Sequence, residues 1–168
     1  MNIIIDGIDA SGKSTFAKNL ITKYDFNKII HSGKNESTGI EYFIKSIKEN
    51  DKCVFDRFHL SEEIFPIIYK RIPRLSFDEY EQINDYLIKS NTYYVVFVCS
   101  DMSIIEERLI ERDELYYMKE MNSQNTLFKM YSNEFKYSYN YSNFYIIDIA
   151  KDNSYNDLYE WADKKFKL

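Results

Sequence analysis

Eight residues near the start of the chain, Gly7-Ile8-Asp9-Ala10-Ser11-Gly12-Lys13-Ser14, constrain it more than any other stretch. They fit G-x-x-x-x-G-K-[ST] in full, and Thr15 follows. An apolar run, Ile3 to Ile5, precedes them, and Phe16, Ala17, Leu20, Ile21 and Tyr24 then recur at helical spacing from Ser14 to about Tyr24. The octapeptide therefore lies between a strand and a helix, as a loop that wraps phosphates in backbone N–H groups must. Gly7 and Gly12 permit conformations and approaches that a Cβ would block. Lys13 is expected as an exposed cation reaching β and γ phosphates, Ser14 as a hydroxyl ligand of Mg²⁺, and the helix N-terminus as a positive pole beneath the anion.

Downstream, apolar runs and helical periods alternate. Strands are expected at Ile29–His31, at Cys53–Phe55 ending on Asp56, at Tyr93–Cys99 and at Phe144–Ile149. Helices are expected over Gly39 to about Asn50, Ser61–Tyr69, Ser76–Ser90, Met102 to about Arg112, Thr126–Tyr137 and Tyr155–Phe166; Ser76 and Glu79 stand in capping-box spacing. With the phosphate-binding loop, this alternation predicts a three-layer α/β domain, a P-loop NTPase fold with a five-stranded parallel sheet. Ligands of such sheets sit at the strand carboxyl ends, where Asp6, His31, Asp56 and Ser100 fall.

A length of 168 residues suits one domain spanning 1–168. The net charge of −5 argues against a nucleic-acid partner, which calls for a basic face. The longest apolar or aromatic run, Tyr93–Cys99, is far short of the roughly 18 residues a membrane span needs, so no membrane partner is expected. Met1–Asp6 leads straight into the loop and leaves no room for a secretory signal, and Cys53 and Cys99 lack close Cys or His partners, which together suggest a reducing cytoplasm. Small-molecule nucleotides are the expected partners. The oligomeric state stays open, a homodimer among the options.

A phosphate-binding loop also serves GTPases and motor ATPases. The one match to the guanine-reading pattern [NT]-K-x-D, Thr22-Lys23-Tyr24-Asp25, ends the first helix instead of following a late strand, and no D-x-x-G switch follows the loop. Asp56-Arg57 leaves an apolar strand beside the loop, so Asp56 can help hold Mg²⁺ or orient an acceptor, and Arg57 can bind anionic oxygen. Read with Asp9, the segments Gly7 to Thr15 and Asp56-Arg57-Phe58-His59-Leu60-Ser61 resemble the thymidylate kinase branch of the nucleoside monophosphate kinases. That resemblance implies that Asp9 approaches the acceptor's sugar hydroxyl while Asp56 and Arg57 work on metal and transferred phosphate. The chain also departs from the branch. His31-Ser32-Gly33-Lys34 replaces an arginine-bearing loop, the helix before Asp56-Arg57 is shortened or absent, and Phe65-Pro66 stands where an aromatic and a polar base reader are expected.

Arg108 and Arg112 lie four apart on the helix after the fourth strand and are candidates for neutralising a transferring phosphoryl group from a lid around 108–125; Glu107, Glu111 and Asp113 could equally pair with them on a solvated face. Lys70, Arg71 and Arg74 cluster around Pro73; a solvated turn is the plain reading, capture of the acceptor's phosphate the functional one. Lys34 and Phe65 join Asp9, Arg57, Arg71 and Arg74 as acceptor-binding candidates, with His31 and His59 weaker ones, and Asp9, Ala10, Ser11 and Thr15 complete the ATP loop. The tyrosines between Tyr116 and Tyr145 are assigned mainly to packing, because Phe128, Tyr131 and Phe135 fall at helical spacing. The expectation is ATP-dependent phosphoryl transfer, with Mg²⁺, to a deoxynucleoside monophosphate, dTMP first. A nucleoside or modified-base hydroxyl is the alternative acceptor, and a non-catalytic ATP-binding module the alternative of another class.

Overall fold

The computed structural model describes residues 1–31 and 39–167. Its elements are β1 (Asn2–Gly7), α1 (Lys13–Tyr24), β2 (Lys28–His31), α2 (Ile40–Glu49), β3 (Cys53–Asp56), α3 (His59–Tyr69), α4 (Phe77–Lys89), β4 (Thr92–Val98), α5 (Ser103–Glu111), a single 3₁₀ turn (Leu115–Tyr117), α6 (Met118–Tyr139), β5 (Phe144–Asp148) and α7 (Ser154–Phe166). The strands run parallel in the order β2-β3-β1-β4-β5. Register pairs Ile5 with Asp56, His31 with Asp56 and Asp6 with Val96, so the polar strand ends share one edge of the sheet.

Both faces of the sheet are covered, which is why β1 and β4 are apolar at successive positions instead of alternating. On β4, Tyr93 and Phe97 point to one face and meet Trp161 of α7 and Phe16 of α1, while Tyr94 points to the other and meets Phe135 of α6. α1 and α7 share the first face through Phe16 and Tyr159, ring centroids 5.7 Å apart. On the second, Phe43 of α2 packs on Phe58, Tyr80 of α4 on His59, and Phe65 of α3 on Phe128 of α6.

The helix before Asp56-Arg57 is the ten-residue α2, within the bounds expected over Gly39 to about Asn50. Two expectations need correction. α3 opens at His59, two residues before Ser61, because the Ser61 N–H already bonds the Phe58 carbonyl. α6 opens at Met118 and not at Thr126. Its first turns present Gln124 and Asn125 to the interior between Met121 and Phe128, and polar residues at core positions interrupt the apolar period. Both are paired: Asn125 accepts from the Cys99 N–H and donates to the Cys99 carbonyl, tying α6 to the end of β4.

Two buried titratable groups sit where α3 begins. Asp6 is fully buried and accepts from the Phe58 N–H at 3.0 Å, the Tyr94 hydroxyl at 2.8 Å and the Ser61 hydroxyl. Burial pushes its carboxyl from an ordinary 3.8 up to about 6, against the pull of those donors and of Lys13. His59 is equally buried, with Nε2 2.6 Å from the Asn84 amide oxygen, and its Nδ1 is the one buried side-chain polar atom without a partner among the described residues. Burial pushes it from 6.5 down to about 4, partly offset by the Asn84 bond.

The two act on stability with opposite signs. The native state holds the Asp6 proton more tightly than the unfolded chain does, so that contribution is complete below pH 3.8 and lost as pH rises through about 6. It holds the His59 proton less tightly, so that contribution is complete above pH 6.5 and lost as pH falls toward about 4. Each slope reaches about 1.4 kcal/mol per pH unit, and across the shared window they cancel. Urea unfolding between pH 4.5 and 6.5 should therefore show Asp6→Asn gaining stability with pH relative to the parent, and His59→Gln losing it. Profiles of both variants parallel to the parent would contradict the assignment, whatever their absolute stability.

Candidate active site

The loop between β1 and α1 takes its shape from contacts that admit only glycine at two points. Gly7 has φ +126°, and a Cβ there would lie 2.2 Å from the Phe97 carbonyl oxygen. Gly12 has φ +89° and caps α1; its Cβ would lie 2.9 Å from the Tyr155 hydroxyl. Ala10 also adopts positive φ, and the buried Ser11 hydroxyl donates to the Ile8 carbonyl at 2.7 Å, closing the turn. No side chain caps the N-terminus of α1, and its first turn carries no acid, so its first N–H groups make no side-chain cap bond and its positive dipole end has no acid on its own first turn.

Around the loop lies a cleft of about 590 Å³. Asp9 to Thr15 form its floor, His31, Asp56 and Arg57 enter from the strand ends, and Tyr69 enters from the end of α3. The wall opposite is built of Leu109, Arg112, Glu114, Tyr117, Glu120 and Met121.

Lys13 lines this cleft but is not the exposed cation expected: it is only 6% exposed. Its stem lies under the loop, and Nζ donates to the carbonyls of Gly7, at 2.9 Å, and Ile8, and faces Asp9 at 3.5 Å. Asp9 is the hub of the charged network. Its Oδ1 accepts from Arg57 at 2.6 Å; Gln124 of α6 accepts from its backbone N–H at 3.2 Å and donates to Oδ2 at 3.4 Å. Burial works to raise the Asp9 carboxyl, but the fields of Lys13 and Arg57 outweigh it and hold it below the usual carboxylate range. Arg57 occupies the left-handed region, φ 68°, donates its backbone N–H to Ile5 at 2.9 Å, and lays its guanidinium 4.7 Å from the Phe65 ring centroid. Asp56 pairs with His31 Nδ1 at 3.0 Å.

The two candidate arginines of α5 separate. Arg112, just past the helix end, faces the cleft, whereas Arg108 donates to the Ala10 carbonyl at 2.7 Å on the far side of the loop. There it meets Tyr155 of α7, whose hydroxyl donates to the Ser11 carbonyl at 2.7 Å. Arg71 and Arg74 lie outside the cleft: Arg71 stacks 5.0 Å above Tyr69, and Arg74 Nε is 3.9 Å from Glu62. Phe65 lies behind the cleft, stacked on Tyr69. His59 belongs to the core, and Lys34 falls outside the described residues.

Sequence inspection missed Gln124, Tyr155, Tyr69, Glu114, Tyr117 and Glu120. Only Gln124 left a signal, as a polar residue on the apolar face of α6 between Met121 and Phe128. Among the described residues no three His, Cys, Asp or Glu side chains could hold a metal ion. Ser14 and Asp56 nevertheless fit Mg²⁺. They are oxygen donors on one cleft, and a hard cation carried by phosphates needs only one or two from the protein.

No family model and no curated protein sequence matches the chain. Solved structures do. A YorR protein from Bacillus subtilis, solved in complex with phosphorylated GDP, aligns over 98% of this chain and 97% of its own at 21% identity, TM-score 0.72. A deoxyadenosine kinase from M. mycoides aligns with bound dCTP over 98% of this chain and all of its own at 16% identity, TM-score 0.60, and with bound dATP at 17% identity, TM-score 0.54. The chain shares their fold. The three-layer, five-stranded parallel arrangement expected from the sequence is the one found, and these solved structures share it. No helix among the described residues is long and apolar enough to cross a membrane.

Because the Gly7 pocket is walled by the backbone of β4, Gly7→Ala should cost about 3 kcal/mol or more, while Gly39→Ala, which meets nothing within 4 Å, should be nearly neutral. Thermal unfolding of the two variants checks this; equal midpoints would contradict the close-approach account.

Proposed function

We propose that the chain is a Mg²⁺-dependent phosphotransferase that moves the γ-phosphoryl group of ATP to a deoxynucleoside or its monophosphate. One observation carries the reading: the glycine-turned loop, Lys13, Asp56, Arg57 and Arg112 all open onto one cleft at the strand carboxyl ends. The similarity of fold to a deoxyadenosine kinase and to a protein solved with phosphorylated GDP supports it.

In this mechanism the loop N–H groups and the α1 dipole bind the triphosphate, and Lys13 exchanges the Gly7 and Ile8 carbonyls for phosphate oxygens. Mg²⁺, held at Ser14 and Asp56, supplies charge neutralisation on the phosphates when bound. Arg112 faces the cleft as the cation available to the transferring group. Asp9, kept ionised by Lys13 and Arg57, accepts a hydrogen bond from the acceptor's hydroxyl and orients it, but it is too weakly basic to deprotonate it in the ground state. The segment 108–125, with the end of α5 and the start of α6, acts as the lid over this chemistry.

The resemblance to thymidylate kinases names dTMP as the acceptor. A neutral nucleoside is favoured by a separate observation: Arg57 is already matched by Asp9, and Arg71 and Arg74 lie outside the cleft, so among the described residues little cationic charge beyond Lys13 and Arg112 awaits an acceptor phosphate. Incubation with Mg·ATP and a panel of nucleosides and monophosphates, read by mass spectrometry, separates the two acceptors. No transfer to any of them would reduce the protein to a binding module. Lys13→Ala should lower kcat by about 10²-fold or more, and Arg112→Ala should lower kcat more than it raises KM, since the charge they answer is largest in the transition state. Arg108→Ala should act through the loop instead, raising KM for ATP. Unchanged turnover in Lys13→Ala would overturn the cradle.

A further inference from the structure

The wall of the cleft opposite the loop carries a feature that phosphate chemistry leaves unused. Glu120, in the first turn of α6, faces the cleft and accepts a hydrogen bond from the Tyr69 hydroxyl at 3.0 Å. That bond spans from the end of α3 to the start of α6. Among the described residues no cation lies within salt-bridge distance of Glu120, whereas Asp9 in the same cleft is matched by Lys13 and Arg57 and Asp56 lies 3.0 Å from His31 Nδ1. Its place at the start of a 22-residue helix favours a negative charge there. An acceptor-only group is thus held half-buried, with one oxygen anchored and the other turned to no protein donor.

Flat aromatic surface adjoins it. Tyr69 and Tyr117 both line the cleft; Tyr69 carries Phe65 at 5.9 Å in a stacked pair and the Arg71 guanidinium at 5.0 Å, and Tyr117 is backed by Tyr116 at 4.2 Å. The Tyr117 ring offers a face for a planar heterocycle, and a carboxylate on the same wall selects what that heterocycle presents in its plane.

Resting on the reading of the cleft as a nucleoside or nucleotide acceptor site, we propose that Glu120, anchored by Tyr69, reads the acceptor's base and selects guanine. Guanine presents two adjacent donors, its ring N1–H and its 2-amino group, which a carboxylate meets with both oxygens, the anchored one through its second lone pair. Adenine and cytosine present one amino donor beside a bare ring nitrogen, which would face a carboxylate oxygen lone pair to lone pair. Thymine presents a single N–H between two carbonyls, both of which repel the carboxylate. Such mismatches exclude a competitor more sharply than they favour the right base.

Calorimetric titration of the protein with the four deoxynucleosides and their monophosphates, in the presence of Mg·ADP, tests this. The guanine compounds should bind at least tenfold more tightly than the thymine ones. Glu120→Gln, which keeps the shape and exchanges an acceptor for a donor, should lower guanine affinity tenfold or more, narrow or reverse the preference, and leave Mg·ADP affinity unchanged. Tyr69→Phe should weaken guanine selectivity in the same direction by releasing the anchor. A parent protein that prefers thymine, or a Glu120→Gln variant that loses affinity for all bases alike, overturns the base-reading role while leaving the acceptor site intact. Failure of every compound to bind would instead overturn the acceptor site, and this assignment with it.

Discussion

A single buried carboxylate holds the working end of this fold together. Asp6 closes β1 and takes hydrogen bonds from Phe58 and Ser61, at the entry to α3, and from Tyr94 in the middle of β4. Two elements distant in sequence, α3 and β4, are thereby tied to the strand that leads into the Gly7–Ser14 loop. The chain between Asp56 and Phe58 must turn sharply to reach this anchor, and Arg57 does so in a left-handed conformation that L-residues adopt at a cost. The guanidinium is consequently aimed at Asp9 and over Phe65. Desolvating Asp6 is unfavourable, which is why burial raises its carboxyl, and three donors offset that cost.

The cleft is a balanced electrostatic device. Lys13 rests on the loop's own carbonyls and beside Asp9, so its charge is satisfied within the protein; the proposed mechanism hands it to phosphate by exchanging one set of oxygens for another. Asp9 is the counterweight, and Gln124 fixes both its backbone and its carboxylate from α6. On the outer side of the loop, Arg108 and Tyr155 hold the carbonyls of Ala10 and Ser11. The loop is therefore clasped by α6 on one side and by α5 and α7 on the other.

What the sequence disclosed follows from which interactions are local. The strands of a sheet covered on both faces appear as unbroken apolar runs, so Ile3–Ile5 and Tyr93–Cys99 announced themselves, and the Gly7–Ser14 motif fixed the loop between a strand and a helix. The start of α6 stayed hidden because Gln124 and Asn125 occupy core positions made acceptable only by partners far away in the chain, Asp9 and Cys99. The burial of Lys13 was hidden likewise, since the carbonyls that hold it become available only when Gly7 turns the loop. Tyr69 and Glu120 face each other solely through the packing of α3 on α6, and no spacing in the sequence encodes that approach.

The central claim is that the loop, with Lys13, is where a nucleotide triphosphate sits. A crystal structure of the protein with Mg²⁺ and a non-hydrolysable ATP analogue tests it most directly. The account predicts β and γ phosphates enclosed by the backbone N–H groups of Ala10 to Ser14, with Lys13 Nζ moved from the Gly7 and Ile8 carbonyls onto their oxygens. An analogue bound elsewhere, or phosphates in the loop with Lys13 still on those carbonyls, would contradict it.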